Sequence, residues 1–142
     1  MDRRITATVE AEPGSVMASL ADLSTYPEWA SLVSAAEPDA DHDTTWMVTL
    51  RARLGPLARS KRLRMTRTQL DDHMVRFERD EIDGRDHAEW ILTASVEPTG
   101  ANTAVEVHLH YGGTLWTTPL EAALAAVESS AAKRLATYLQ QS

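Results

Sequence analysis

The sequence predicts an α+β domain in which a seven-stranded, curved antiparallel sheet wraps around one long C-terminal helix, with two short helices after the first strand. Three observations carry this. Thr118-Pro119-Leu120-Glu121 is a helix start: a Thr N-cap, Pro at the first helical position and Glu three residues on, closing a capping box. Leu120, Ala123, Leu124, Val127, Ala131 and Leu135 then recur at helical spacing over the last 25 residues, with Tyr138 continuing the stripe. Between about Thr44 and Tyr111 the chain reads instead as short strand-like runs punctuated by turn residues.

In chain order, residues 4–11 alternate, with Ile5, Ala7 and Val9 on one face, and form the first strand. Pro13-Gly14 ends it and opens a short helix to about Leu20, with Val16, Met17 and Leu20 apolar. A second helical piece spans Asp22 to Leu32 around Tyr26-Pro27-Glu28-Trp29, where Pro27 is expected in the first turn because it has no amide hydrogen to donate. Strands follow at roughly 31–38, 44–54, 60–69, 73–82, 86–97 and 102–112. Their separators are Asp39 to Asp43, Gly55-Pro56, Asp71-Asp72, Asp83-Gly84 and Pro98-Thr99-Gly100.

Asp83-Gly84 is the most diagnostic turn. Read as a two-residue hairpin loop, it sets Ile82 opposite Arg85, Phe77 opposite Trp90 and Val75 opposite Leu92. A four-residue turn at Pro98–Ala101 then pairs Trp90 with Leu109 and Leu92 with Val107. The helix-facing surface in this register holds Trp46, Val48, Leu50, Leu63, Met65, Val75, Phe77, Trp90, Leu92, Val105, Val107, Leu109 and Tyr111. Arg76, Glu78, His87, Glu89, Glu106, His108 and His110 fall on the opposite, solvated face.

The 142 residues form one domain, 1–142, large enough to bury about two-thirds of its unfolded surface. A net charge of −7 argues against a nucleic-acid groove, which needs concentrated Lys and Arg. The basic run from Arg51 to Arg67 is flanked by acidic residues and reads as a solvated strand face. Cysteine is absent, which removes disulfides, thiolate metal sites and thiol nucleophiles. No segment has the apolar length of a signal peptide or a membrane span, so the expected location is cytoplasmic.

Chemistry-bearing motifs are few. His108 and His110 could share a metal only with a third converging ligand, and their outward parity gives none, so no metal and no cofactor is expected. The serines stand outside any G-x-S-x-G frame, and no catalytic residue is assigned. Gly112-Gly113 reads as a flexible joint before the long helix. By strand parity Arg67 and Arg79 point inward, where a guanidinium needs an acidic partner or an anionic ligand group. The candidate ligand-binding set is therefore Trp46, Leu50, Met65, Arg67, Phe77, Arg79, Trp90, Leu92, Leu109 and Tyr111 from the sheet, with Leu120, Leu124 and Val127 from the helix.

The order of elements, together with Asp22-Leu23-Ser24-Thr25-Tyr26-Pro27-Glu28-Trp29, resembles the START-like (SRPBCC) superfamily, with its "D…YPxW" pattern and helix-grip fold. That superfamily includes polyketide cyclase/dehydrase and lipid-transport proteins and relatives of the birch pollen allergen. The resemblance covers essentially the whole chain. It implies an apolar cavity between sheet and long helix, gated here by Arg53–Ser60 and Ile82–Asp86. The expected function is binding of a small hydrophobic or amphipathic molecule, lipid- or polyketide-like, as carrier or sensor. The alternatives are a polyketide cyclase/aromatase acting on a poly-β-keto chain, and a protein-interaction module with a filled core. A small hydrophobic ligand is the expected partner, with no nucleic acid and a monomer or homodimer both open.

Overall fold

The computed structural model describes residues 1–141, apart from the side chains of residue 54, residues 124–129 and residue 131. The elements run β1 (Asp2–Val9), α1 (Pro13–Leu20), a 3₁₀ helix (Leu23–Glu28), β2 (Val33–Pro38), β3 (Thr45–Leu54), β4 (Leu57–Leu70), β5 (Met74–Arg79), β6 (Trp90–Thr99), β7 (Asn102–Tyr111) and α2 (Thr117–Gln141). All seven strands join one antiparallel sheet in the order β1-β7-β6-β5-β4-β3-β2. This is the α+β helix-grip arrangement.

Helix α2 packs on both β1 and β3, which lie toward opposite ends of that strand order. The sheet must therefore curl until its margins approach one helix of roughly 37 Å. The concave face carries the apolar parity set: Trp46, Val48, Leu63, Met65, Val75, Phe77, Trp90, Val105, Val107 and Tyr111 are all buried. At one end of the concavity α1 packs on β5 and β6 through Val16, Met17 and Leu20. Along α2 the fully buried anchors include Leu120, Leu135 and Leu139.

Two turns differ from their expected form, and both corrections move the register by two residues. Residues 80–89 are a loop rather than strand, so Asp83-Gly84 lies within a ten-residue connection between β5 and β6 and is not a two-residue hairpin turn. Phe77 faces Leu92 instead of Trp90, and Val75 faces Ala94 instead of Leu92. The cause is β4: Asp80 N–H donates to the Arg64 carbonyl at 2.9 Å, and the Glu81 carboxylate takes the Arg64 N–H at 3.0 Å. These bonds hold 80 and 81 beside β4, away from β6. Asp83 then makes only a local turn, accepting the Arg85 N–H at 3.0 Å.

At the next hairpin the loop is two residues, Gly100-Ala101, with Thr99 paired to Asn102. Gly100 has φ +65°, the left-handed conformation that a tight hairpin requires at its first central position. Consequently Trp90 pairs with Tyr111 rather than Leu109, and Leu92 with Leu109 rather than Val107. A shift of two preserves side-chain parity, so the inward and outward faces stand as expected.

Helix starts needed correction too. Leu120 N–H bonds the Trp116 carbonyl at 2.9 Å, so α2 begins at Thr117, and Thr118 lies inside its first turn rather than capping it. Pro119 is tolerated there because the first amides of a helix have no intrahelical partner. Pro27 lies fifth in the six-residue 3₁₀ helix, not in its first turn. Its missing hydrogen forfeits one short bond, while the Tyr26 carbonyl accepts from both Trp29 at 3.1 Å and Ala30 at 2.8 Å.

Candidate ligand-binding site

An apolar cavity of about 110 Å³ lies between the concave sheet and the segment from Leu23 to Val33. Its sheet wall is Val48 and Leu50 of β3, Leu63 and Met65 of β4, Trp90 and Leu92 of β6, Val107 and Leu109 of β7, and Ile5 of β1. Among the described residues, the facing wall comes from Leu23, Tyr26, Trp29, Ala30, Leu32 and Val33. Alternation on the strands supplies one wall, and the 3₁₀ helix, too short to bury itself, lays its aromatic side chains down as the other. Arg3 and Ser31 stand exposed at the margin.

Five residues of the sequence-derived set line this cavity: Leu50, Met65, Trp90, Leu92 and Leu109. Trp46 and Phe77 share the concave face but are not in the described lining; they meet edge-on at 5.6 Å, with Phe77 in turn edge-on to Tyr26 at 6.2 Å. Tyr111 sits beyond Trp90, its hydroxyl accepting the Trp116 N–H at 3.1 Å. Leu120 is buried in the core but is not part of the described lining. The side chains of Leu124 and Val127 lie outside the described residues.

The two inward arginines do not reach the cavity. Arg67 donates to the Ala21 carbonyl at 2.8 Å, at the end of α1, and lies over the Trp46 ring at 5.8 Å. Arg79 donates to the Glu81 carboxylate at 3.1 Å. Parity placed both on the concave side, but each meets an acceptor within the protein. Next to Arg79, Lys61 is held below its ordinary value by burial and by the neighbouring guanidinium, with Glu81 opposing.

Residues that sequence reasoning missed are Tyr26, Trp29 and their neighbours on the facing wall, together with Arg3. The "YPxW" pattern was the available signal for the aromatic pair, whose rings lie 4.7 Å apart. Arg3 continues the Ile5, Ala7, Val9 parity, and a first strand begun at residue 4 left it out. Burial pushes the Tyr26 phenol well above its ordinary value, and its hydroxyl donates to the Leu20 carbonyl at 2.9 Å. The Trp90 indole N–H is different: it is buried and meets no acceptor among the described residues.

The gating segments also take a different form. β3 and β4 pair through to Leu54 and Leu57, so Arg53–Ser60 is a tight ribbon turning at Gly55, φ +62°. The joint after β7 is close-packed rather than loose: a Cβ on Gly113 would lie 2.7 Å from the Cβ of Ala88. On the convex face His108 and His110 meet the Asp2 carboxylate at 2.8 and 3.0 Å, and Glu89 lies 3.3 Å from His110. These imidazoles hold the Asp2 carboxyl below the usual carboxylate range. Among the described residues no group of three His, Asp or Glu side chains is placed to hold a metal ion, and no helix is long and apolar enough to cross a membrane.

Comparison with known proteins agrees with this geometry. A family model described as "Polyketide cyclase / dehydrase and lipid transport" matches residues 3–140. No curated protein matches the sequence. Among solved structures, a START superfamily protein from Mycobacterium smegmatis superposes with a TM-score of 0.65 at 16% identity, covering 99% of this chain and 94% of the other. A Thermus thermophilus protein gives 0.64 at 18% identity, covering 99% and 95%. The di-domain ARO/CYC protein StfQ of the steffimycin biosynthetic pathway gives 0.63 at 13% identity, with 99% of this chain spanning 50% of that one.

Proposed function

The chain belongs to the polyketide cyclase/dehydrase and lipid transport family, and on that premise we propose that it binds one small apolar or amphipathic molecule as a carrier or sensor. The observation behind this reading is the cavity itself. Its walls are contributed by six strands, the 3₁₀ helix and the residues that follow it, and they are almost wholly apolar. A dry apolar cavity of about 150 Å³ holds benzene, and this one is smaller at about 110 Å³, so it suits a ligand body no larger than one small ring or a short branched chain.

Volume supports this reading over its alternatives. A poly-β-keto chain long enough to cyclise is several times larger than one ring. A filled-core interaction module would leave no such space beneath the sheet. Native mass spectrometry of the protein isolated from its own source should reveal a small molecule released on denaturation. A bare polypeptide mass, with no response of the Leu50, Leu92 and Leu109 methyl resonances to small apolar probes, would overturn the proposal.

A further inference from the structure

We propose that the β3–β4 hairpin is a docking arm that seats its tip on an anionic lipid surface. Half of the chain's 14 Lys and Arg lie between Thr44 and Leu70, a stretch without a single Asp or Glu. The net charge of −7 is thus unevenly spread, with +7 on this stretch and −14 on the rest of the chain. Arg64 is taken up by Asp80, and Arg67 by the Ala21 carbonyl. Arg51, Arg53, Arg59 and Arg62 are exposed and have no acidic partner among the described residues.

The hairpin outruns its neighbouring strands. β2 leaves β3 where the Arg51 N–H bonds the Leu32 carbonyl at 2.9 Å, and β5 leaves β4 where Asp80 bonds Arg64. Beyond those points the two strands pair only with each other: Arg51 with Ser60, Arg53 with Ala58, Leu54 with Leu57. The arm therefore reaches about 10 Å past Arg51. Ala52, 2% exposed, is still covered and holds its base. Leu57 at the end is 70% exposed, beside the exposed Pro56. Arg51 and Arg53 stand on one face and Arg59 on the other, all within about 10 Å of Leu57 along the strands. An apolar tip collared by arginines suits a bilayer interface, where Leu57 enters the acyl boundary and the guanidinium groups meet phosphates. A nucleic acid would use the arginines alone and leave Leu57 in water. Asp80 and Glu81, beside the arm's base, are already engaged by Arg64 and Arg79. Exposed charges more than about 8 Å away are largely screened at physiological salt, so the acidic remainder does not cancel the arm.

The test is flotation of the full chain with two kinds of vesicle, phosphatidylcholine alone and phosphatidylcholine with about 30% phosphatidylglycerol. Each Arg near an anionic leaflet contributes about fivefold to partitioning, so the anionic vesicles should bind at least about tenfold more tightly. About 0.5 M salt should remove most of that preference. Arg51→Gln, Arg53→Gln and Arg59→Gln together should abolish it. Leu57→Ser should weaken anionic binding about fivefold, and Arg134→Gln on α2 should leave it unchanged. All these side chains are exposed, so urea melts should stay as in the parent. The chain has no cysteine, so Leu57→Cys provides a single labelling site, and an NBD dye there should shift to the blue on anionic vesicles. Equal binding to both vesicles, a preference that survives the triple substitution, or an unshifted dye would overturn the proposal. Binding of a DNA duplex as tight as that of anionic vesicles, with Leu57→Ser without effect on either, would assign the arm to nucleic acid and overturn it as well. Every one of these outcomes leaves the cavity's own binding proposal standing, because none of the substituted residues lines it.

Discussion

Trp90 and Tyr111 stand opposite each other across β6 and β7 with ring centroids 4.5 Å apart, and the Tyr111 hydroxyl accepts the N–H of Trp116. Trp116 in turn packs edge-on to Trp90 at 6.2 Å. One aromatic cluster therefore fixes the end of the cavity, the last residue of the sheet and the entry to α2. Tyr111→Phe leaves the buried Trp116 amide without its acceptor and should cost about 1–3 kcal/mol, read as a lower urea midpoint at unchanged slope.

Gly113→Ala should destabilise by about 1–3 kcal/mol, as overpacking does when the neighbours are small or held. The added methyl meets the Ala88 Cβ and the Tyr111 ring, and neither has a flexible end that can give way. Thermal unfolding measures the loss, and a loss of Tyr111 contacts in the NMR spectrum locates it.

Arg67→Met should lower stability by about 1 kcal/mol through loss of the bond to the Ala21 carbonyl, while ligand affinity stays as in the parent. Parallel urea melts and titrations with a small apolar probe separate the two effects. A weakened titration with an unchanged melt would return Arg67 to the binding site.

Ala30→Leu adds three carbons to the cavity wall. In a void of 110 Å³ that should displace a one-ring ligand, reducing affinity at least about tenfold, while stability holds or rises slightly. Calorimetric titration together with a melting curve checks both halves.

Asp71 controls part of the acid limb. Its carboxylate accepts the N–H groups of His73 at 2.7 Å and Met74 at 2.8 Å, and these bonds hold its pKa below the ordinary value of 3.8. The folded state then binds fewer protons than the unfolded one between those two values. Its contribution is complete above 3.8 and is lost as pH falls through the lower, folded value. Asp71→Asn should flatten the stability profile below about pH 4 and leave its slope at neutral pH unchanged, measured by urea melts across pH.

Parity was the most legible property of this sequence. Alternation placed Leu50, Met65, Trp90, Leu92 and Leu109 on the concave side, and an error of two residues at each hairpin could not move them. Turn length was less legible, because Asp83-Gly84 is a turn with or without paired strands around it. The bonds that decided the matter, from Asp80 and Glu81 to Arg64, join residues far apart in sequence. For the same reason Arg67 and Arg79 looked like anchors: parity gives direction, but not the acceptor waiting within the protein. The wall from Leu23 to Val33 was hidden because its irregular backbone has no period to read.

β1 pairs only with β7, Ile5 meeting Val107 and Ala7 meeting Val105. During synthesis every other strand can find a neighbour soon after it is made. At about 5–20 residues per second, β1 waits about 5–20 s for its partner, with its alternating apolar face uncovered. The sheet therefore grows in chain order from β2 and β3 to β7, and β1, made before them, docks almost last. Closure of the cavity is then a late event in the life of the nascent chain, timed by the arrival of the strand that precedes α2.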